Sequence, residues 1–289
     1  MNCELSNRKN KFFQKYDYGK GIVGFDEYVL RIVSSCPLGC KYCYLQDVNK
    51  RKQPKIYTNF EQLRQEFKEL ISNASGPMRI NAGENADSLV FEPKAGVVDF
   101  LDGLLTGAGD VQIELRTKTS NVEFLKSLKN KDKFTVVFTI SPENVIKKLE
   151  KKTASLNNRL EAAKKCQEMG INVGLRFEPI INSKTLVADY TKTIDLIKQK
   201  LDTAKLQPLG LSCLRLTKGL MQKLQKSAPE LLLEEFVPCP DGKFRYFRPI
   251  RTGIYCQLID IIKDRLPGVK VFLSTEPEYV WRDCGLKTS

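Results

Sequence analysis

Ser34-Ser-Cys-Pro-Leu-Gly-Cys-Lys-Tyr-Cys-Tyr-Leu-Gln46 places three cysteines within eight residues, spaced CxxxCxxC, directly after an apolar run that begins at Tyr28. Three thiolates this close along a loop can each bind one iron of a cubane and leave the fourth iron without a protein ligand. The alternative is structural zinc, which takes four Cys or His ligands, but the sequence has no histidine and no second CxxC. The motif therefore favours a 4Fe-4S cluster on Cys36, Cys40 and Cys43.

The composition of the 289-residue chain narrows the possible classes of protein. Its apolar runs are all shorter than the ~20 residues that a membrane-spanning helix needs. The N-terminus is polar and basic and lacks the apolar core of a secretory signal. We therefore expect a cytoplasmic protein with no membrane partner. The absence of histidine removes the commonest general base and every Ser/His or Cys/His nucleophile, which leaves thiolate, carboxylate and radical chemistry.

The chain is strongly basic, with 47 Lys and Arg against 34 Asp and Glu and a formal net charge of +13. This balance is typical of proteins that bind polyanions such as nucleic acids. The alternative is a lysine-rich surface that only solvates outer helical faces, since much of the excess lies in pairs such as Lys147-Lys148 and Lys164-Lys165. Composition leaves both interpretations open.

Short apolar or β-branched runs alternate with helical segments along the chain, which is typical of parallel strands joined by crossover helices. The runs are YVLRIVSS from Tyr28, MRINAG from Met78, VQIELRT from Val111, FTVVFTI from Phe134, NVGLRFEPII from Asn172 and PLGLSCLRL from Pro208. We predict an α/β fold, a partial (βα)6 barrel with the cysteine motif on the loop that leaves its first strand. In such barrels, ligands bind where the strands end.

The segment after the sixth run has a different pattern. Pro240-Asp-Gly242 separates two short extended arms, which predicts a β-hairpin. An amphipathic helix from about 253 to 265 and a last strand, VKVFLST, follow. We predict an N-terminal extension over 1–27, the barrel over 28–227, and a C-terminal hairpin, helix and strand over 228–289 that pack on the barrel.

The hairpin arm FRYFR alternates aromatic and basic residues, so an extended strand would carry one aromatic and one basic face. Arginine beside stacking aromatics is typical of nucleic-acid binding. The alternative is an edge strand that packs its Phe side chains against the barrel. The candidate nucleic-acid residues are Lys243, Arg245, Tyr246, Phe247, Arg248 and Arg251.

The spacing CxxxCxYC resembles the signature of the radical S-adenosylmethionine (SAM) superfamily. The resemblance implies that SAM chelates the open iron, and that one electron from the cluster, supplied by a reductant such as flavodoxin or ferredoxin, cleaves SAM to a 5′-deoxyadenosyl radical. Asn81-Ala-Gly-Glu84, at the end of the second strand run, is similar to the superfamily's GGE-type motif. By this resemblance Ala82, Gly83 and Glu84 bind the amine of the cofactor.

Most of the chain from about Ser35 onward resembles the spore photoproduct lyase family. The similar stretches are CxYCYLQ from Cys40, RxxAxxxxD from Arg79, TKxxxV from Thr117, RLEAAKKCQEMG from Arg159 and Arg215-Leu-Thr-Lys218. The resemblance implies that Lys118 and Thr139 contact the cofactor and that Tyr42 and Tyr44 are the tyrosines of a radical relay. It also places the basic hairpin where that family has a DNA-probing hairpin.

Each of these assignments has a simpler alternative. Tyr42 and Tyr44 would equally well pack beside a cluster. Lys118 is a stronger functional candidate, because a lysine at the end of an inner strand needs an anionic partner. Arg176 and Glu178 lie two residues apart on the fifth strand and so share one face of it. Glu178 is a candidate cofactor residue. The alternative is that Arg176 and Glu178 only form ion pairs with neighbouring charged residues.

One position departs from the family pattern. The register set by Arg79 and Asp87 puts Glu84 where the lyases carry the cysteine that donates a hydrogen atom. A carboxylate cannot donate a hydrogen atom to a carbon radical as a thiol can. This position therefore argues against reversal of a thymine dimer by the mechanism that the resemblance implies. The remaining cysteines are Cys3, Cys166, Cys213, Cys239, Cys256 and Cys284. We expect these cysteines to be small buried hydrophobic residues, although Cys213, Cys239, Cys256 and Cys284 could approach the site from elsewhere.

Three functional hypotheses follow. The first is a radical SAM enzyme, lyase-like, whose adenosyl radical abstracts hydrogen from DNA or a nucleotide. The second is radical modification of a peptide or small metabolite. The third is an iron-sulfur relative that binds DNA without turnover.

Overall fold

The structure is a computed structural model that describes residues 3–48 and 53–288. In chain order its strands are β1 (Glu4–Ser6), β2 (Phe13–Lys15), β3 (Glu27–Leu30), β4 (Val33–Ser34), β5 (Lys55–Tyr57), β6 (Met78–Asn81), β7 (Val111–Thr117), β8 (Phe134–Thr139), β9 (Asn172–Ile180), β10 (Leu209–Cys213), β11 (Arg215–Leu216), β12 (Phe236–Pro238), β13 (Phe244–Tyr246) and β14 (Val271–Leu273). Its α-helices are α1 (Leu45–Val48), α2 (Phe60–Ser72), α3 (Val97–Leu105), α4 (Glu143–Leu149), α5 (Leu156–Glu168), α6 (Leu186–Lys200), α7 (Lys218–Ser227), α8 (Arg248–Arg265) and α9 (Glu278–Asp283). Short 3-10 helices occupy Glu123–Ser127, Lys131–Lys133, Thr203–Lys205 and Pro229–Leu232.

The centre of the fold is a sheet that contains eight of the described strands, in the order β14-β10-β9-β8-β7-β6-β3-β2. Neighbours in it are parallel except for β2 and β3, which are antiparallel. Each of the predicted runs contributes a strand to this sheet, and helices connect the parallel strands. The predicted α/β partial barrel is therefore confirmed.

Two of the predicted runs leave the central sheet before they end. The first run continues into β4, which pairs with β5 in a small sheet that also contains β1. The sixth run continues into β11, which pairs with β13 of the hairpin. The central sheet also takes β2 from the segment 1–27 and β14 from the segment 228–289, so all three predicted segments supply strands to it.

Burial explains why the central strands are continuously apolar. All of β10 is buried, and within β8 only Thr135 is partly exposed, as expected for parallel strands covered on both faces. Helix α5 packs on β8 and β9 and buries Leu160 and Ala163. Ser155 caps this helix by accepting a hydrogen bond from the Asn158 N–H at 3.2 Å. This packing leaves the carboxyl ends of the strands as the common edge of a site.

The hairpin prediction is confirmed, because β12 and β13 pair antiparallel on either side of the turn. The helix that follows begins at Arg248, well before the predicted start near 253. Pro249 at the beginning of that helix supplies a backbone conformation suited to helix initiation. Arg248 and Arg251 therefore lie on α8 and not on an extended arm. Among the described residues, no helix combines the length and apolarity that crossing a bilayer requires.

Candidate active site

One cavity lies at the carboxyl ends of the central strands and gathers most of the predicted site residues. The predicted residues that line it are Cys36, Cys40, Tyr42, Cys43, Tyr44, Gly83, Glu84, Lys118, Thr139, Glu178 and Lys243. Ala82 is not among the lining residues; its backbone N–H donates to the Glu114 carbonyl at 2.9 Å. Residues distant in sequence thus meet at the edge of the sheet where a barrel binds its ligands.

The cysteine loop folds back on itself beside the cavity. Gly39 has φ of 67°, a backbone conformation that favours glycine, and the Cys43 N–H donates to the Cys40 carbonyl at 3.2 Å. The three thiols are free of disulfides. Burial raises the pKa of Cys36 to about 11 and that of Cys40 to about 12, while Lys118 opposes the effect at Cys40.

The donor set of this loop is three thiols, Cys36, Cys40 and Cys43, which line one cavity. Thiolates are the usual ligands of iron-sulfur clusters, and three of them can hold three irons of a cubane and leave the fourth iron open. A structural zinc takes four Cys or His ligands, and the sequence has no histidine. The chemistry of the donor set therefore fits a cubane.

Lys118 lies beside the cysteine loop as a partly buried cation. Its backbone N–H donates to the carboxylate of Asp87 at 2.6 Å, and its ammonium lies 5.9 Å from the centre of the Tyr42 ring. Burial acts to lower the pKa of Lys118, but the nearby Cys40 and Glu150 raise it above its ordinary value. The carboxylate of Glu150 is therefore an anionic group that favours the charged form of Lys118.

Tyr42 belongs to a buried network behind the loop. Its hydroxyl donates to Glu150, which forms an ion pair with Arg159, and both of these charged side chains are 0% exposed. Arg159 also donates to the Thr139 carbonyl at 2.8 Å. Burial, and next the charge of Glu150, raise the pKa of Tyr42 well above its usual range. These contacts favour the packing interpretation for Tyr42 and tie the cysteine loop to β8.

The carboxylate of Glu84 is held by three side chains. Its Oε1 accepts hydrogen bonds from the hydroxyls of Tyr44 at 3.0 Å and Tyr16 at 3.1 Å, and its Oε2 lies 3.5 Å from the Arg116 guanidinium. Gly83 precedes it at a point where an added Cβ would lie 2.4 Å from the Arg116 Cβ. Glycine is therefore needed for the backbone to approach this wall.

Further charges surround the cavity in paired form. Glu178 lies 3.1 Å from Arg215 and 3.8 Å from Arg176, and Arg176 contacts Glu114 at 3.0 Å. Burial would raise the pKa of Glu114, but Arg116 and Arg176 hold it at about 2. Arg176 and Glu178 therefore pair with neighbours, as the simpler alternative predicts, while both line the cavity.

The structure corrects the predicted nucleic-acid face of the hairpin. Arg245 is 0% exposed and forms two hydrogen bonds to Asp241, at 2.7 and 2.8 Å. Arg251 is buried in an ion pair with Glu276 at 3.2 Å. Tyr246 is also buried, against Phe236. The side chains of Arg245, Tyr246 and Arg251 are buried against other residues of the chain. The prediction that these three residues contact nucleic acid is therefore wrong.

The other three hairpin candidates remain accessible. Phe247 is 42% exposed. The guanidinium of Arg248 is half-exposed and contacts Asp283 at 2.6 Å. Lys243 lines the cavity, where burial and the neighbouring Arg215 lower its pKa.

Several cavity residues were not identified from the sequence. Tyr16 and Tyr18 come from the N-terminal extension, while Ser274 and Thr275 follow β14. Of the four cysteines that were expected to be able to approach the site from elsewhere, Cys213 alone is among the lining residues. Thr275 has φ of 59°, which is unusual for a β-branched residue. No motif marks these positions, because only the tertiary fold brings them to the cavity.

The chain is similar to known proteins over most of its length. The model of the spore photoproduct lyase family matches residues 14–236. The spore photoproduct lyase of Clostridium acetobutylicum is 24% identical over 247 residues, which cover 85% of this chain and 71% of the relative. That of Bacillus subtilis is 28% identical over 222 residues, which cover 72% of this chain and 62% of the relative. The match thus spans less than two thirds of the Bacillus enzyme.

Solved structures show the same architecture. A substituted spore photoproduct lyase with bound AdoMet and dinucleoside spore photoproduct superposes with a TM-score of 0.83 at 18% identity, covering 93% of this chain and 82% of that one. The protein anSMEcpe with bound AdoMet superposes with a TM-score of 0.53 at 16% identity, covering 85% of this chain and 62% of that one. At these identities the likeness establishes the fold.

Proposed function

The chain belongs to the spore photoproduct lyase family, and from this premise we propose that it is a radical SAM enzyme acting on DNA or a nucleotide. Cys36, Cys40 and Cys43 would hold a 4Fe-4S cluster with one open iron. SAM would bind beside it, and a flavodoxin or ferredoxin would supply the electron. The observation that carries the proposal is that these cysteines share one cavity with Gly83, Glu84 and other charged groups.

When bound, the cluster and SAM together supply a 5′-deoxyadenosyl radical, which abstracts hydrogen from the substrate. The residues of the chain position and shield this chemistry. Glu84 is fixed by Tyr16, Tyr44 and Arg116, so its carboxylate is oriented to accept hydrogen bonds from the SAM ammonium. Gly83 lets the backbone that precedes Glu84 pack closely against the side chain of Arg116.

The remaining cofactor candidates line the other walls. Lys118 lies next to Cys40 and would balance the negative charge that thiolate ligation introduces. Thr139, at the end of β8, and Glu178, on β9, face the same cavity. Ala82 would contribute through its backbone only. Tyr42 and Tyr44 would form the radical relay, with Tyr44 hydrogen-bonded to Glu84 and Tyr42 to Glu150.

Changing Glu84 to Gln should weaken SAM binding by roughly tenfold to a hundredfold, because hydrogen bonds to a charged group contribute about 1.5–3 kcal/mol. The amide oxygen still accepts from the two tyrosines, so the fold and the cluster spectrum should be unchanged. Equilibrium binding of SAM to the reconstituted protein measures the effect. Glu123→Gln, on the exposed surface, is the control. Equal SAM affinity in Glu84→Gln and wild type would remove Glu84 from the cofactor site.

The accessible hairpin residues should contribute to DNA affinity. In a Lys243→Ala/Arg248→Ala variant we expect weaker DNA binding. The slope of the logarithm of the binding constant against the logarithm of the salt concentration should become shallower by about two, or about one for each lost phosphate contact. Lys192→Ala/Lys198→Ala removes the same charge from the outer face of α6 and should leave both quantities close to wild type. Fluorescence anisotropy over a salt series measures them. If the two double variants behaved alike, the hairpin would not be the DNA contact.

The proposed function is tested by measuring 5′-deoxyadenosine from reduced, reconstituted protein with SAM. We expect dinucleoside spore photoproduct to stimulate its formation, and peptides to leave it at the basal rate. Stimulation by peptides alone would favour peptide modification. No 5′-deoxyadenosine under any condition, together with tight DNA binding, would favour the relative without turnover.

A further inference from the structure

A second cavity lies at the amino ends of the central strands, at the end of the barrel opposite to the candidate active site. It is lined by residues near the starts of strands, such as Met78 on β6, Thr135 on β8, Asn172 on β9 and Val271 on β14. Its volume is about 660 Å³, and pockets that bind small molecules usually measure roughly 300–1,000 Å³. The cavity is therefore large enough for a ligand, and the proposed radical reaction does not use it.

The floor of this amino-end cavity is a layer of paired charges. Glu27 and Arg176 line both cavities and so lie between them. Glu114 contacts Arg176 at 3.0 Å and Arg79 at 3.6 Å. Glu27 lies 3.7 Å from Arg116. Both carboxylates of the floor are thus already paired with arginines.

The side walls of the cavity are aromatic. The rings of Phe25 and Phe272 meet edge to face with their centres 5.2 Å apart, and Trp281 adds a third aromatic side chain to the lining. Gly210 lets the Phe272 ring lie against β10, because an added Cβ there would come within 2.7 Å of the ring. Aromatic walls of this kind favour contact with a flat aromatic ligand.

Two lysines lie at the mouth of the cavity. Lys270 and Lys287 are exposed and belong to its lining. Within residues 3–48 and 53–288, neither ammonium group forms an ion pair or a hydrogen bond. The half-exposed guanidinium of Arg79 adds a third cation. The mouth therefore carries positive charge that favours an anionic ligand.

We propose that the amino-end cavity binds a small anion with a flat aromatic body, of about the size of a mononucleotide. The aromatic body packs against Phe25, Phe272 and Trp281, and Lys270 and Lys287 hold the anionic group at the mouth. This site is separate from the cavity proposed for SAM and the substrate, so the inference goes beyond the proposed function and does not depend on it.

The test uses flavin mononucleotide and riboflavin as matched probes, because they share one flat ring system and differ by a phosphate. Trp281 is the only tryptophan of the chain, so quenching of its emission reports binding in this cavity. The oxidised, reconstituted protein is titrated anaerobically with each probe, with and without SAM. The variants are Lys270→Glu/Lys287→Glu at the mouth and Thr135→Phe, which narrows the cavity. Lys192→Glu/Lys198→Glu, on the exposed face of α6, makes the same change of charge and is the control.

We expect flavin mononucleotide to quench Trp281 with a micromolar dissociation constant. Riboflavin should bind roughly tenfold or more weakly, since it lacks the charge-assisted contacts to the lysines. The mouth variant should lose affinity for flavin mononucleotide by a similar factor and keep that for riboflavin, Thr135→Phe should weaken both, and the control should match wild type. No quenching at millimolar flavin mononucleotide, equal affinity for the two probes, or affinities that the mouth variant leaves unchanged would overturn the proposal. Displacement of the probe by SAM would place it in the active-site cavity and would overturn the proposal as well.

Discussion

Replacing any one of Cys36, Cys40 and Cys43 by alanine should abolish the cluster and lower bound iron from about four per chain to near zero, because a cubane with one open iron needs all three remaining thiolates. The loss should extend to the visible absorption of the cluster and to all SAM cleavage. Iron and sulfide analysis after anaerobic reconstitution measures it. Each alanine removes a single side chain from a loop that is otherwise fixed by backbone hydrogen bonds, so the apoprotein should stay folded.

Cys256→Ala is the matched control, since Cys256 lies on α8 and does not line the cavity. It should bind iron as wild type does. Stoichiometric zinc in the wild type, with no cluster formed on reconstitution, would contradict the assignment of the motif.

Arg159→Met should destabilise the fold by about 3–5 kcal/mol, the usual cost of leaving one partner of a buried ion pair uncompensated. Glu150 and Arg159 are both 0% exposed, and Arg159 also donates to backbone carbonyls of Thr139 and Ala154. The free energy of unfolding from urea titration measures the effect. Because Glu150 also accepts from Tyr42, the cysteine loop should lose order as well.

Two comparison variants separate this cost from ordinary charge removal. Lys165→Met breaks the exposed pair with Glu123 and should cost less than about 1 kcal/mol. Glu150→Gln/Arg159→Met removes both charges of the pair, although it also takes an anionic neighbour from Lys118, and should recover part of the loss. A loss of less than about 1 kcal/mol in Arg159→Met would show that the pair does not anchor the loop.

The sequence predicted the barrel well because parallel strands covered on both faces must be apolar throughout. The cysteine motif and Gly83 were predicted to belong to one site, and both line the cavity, while their roles as cluster and cofactor ligands stay predictions. The last strand, VKVFLST, was predicted and contains β14. The edge strand β2 was not predicted. It has three residues and pairs only with β3 within the central sheet, which local patterns do not record.

The hairpin shows where pattern reasoning fails in physical terms. An alternation such as Phe244-Arg245-Tyr246 predicts two faces but not that both are covered, as the burial of Arg245 and Tyr246 shows. Asp241 and the Thr275 carbonyl satisfy Arg245 internally, and these partners are set by the fold. Tyr16 and Tyr18 went unassigned for the same reason, since their place in the cavity depends on contacts between the N-terminal segment and the barrel.

The most direct test of the account is the electron paramagnetic resonance spectrum of the reduced, reconstituted protein during titration with SAM. We predict a reduced 4Fe-4S signal that changes as SAM binds and saturates at one SAM per chain, because the iron without a cysteine ligand takes the cofactor. A cluster signal that SAM leaves unchanged would contradict the account.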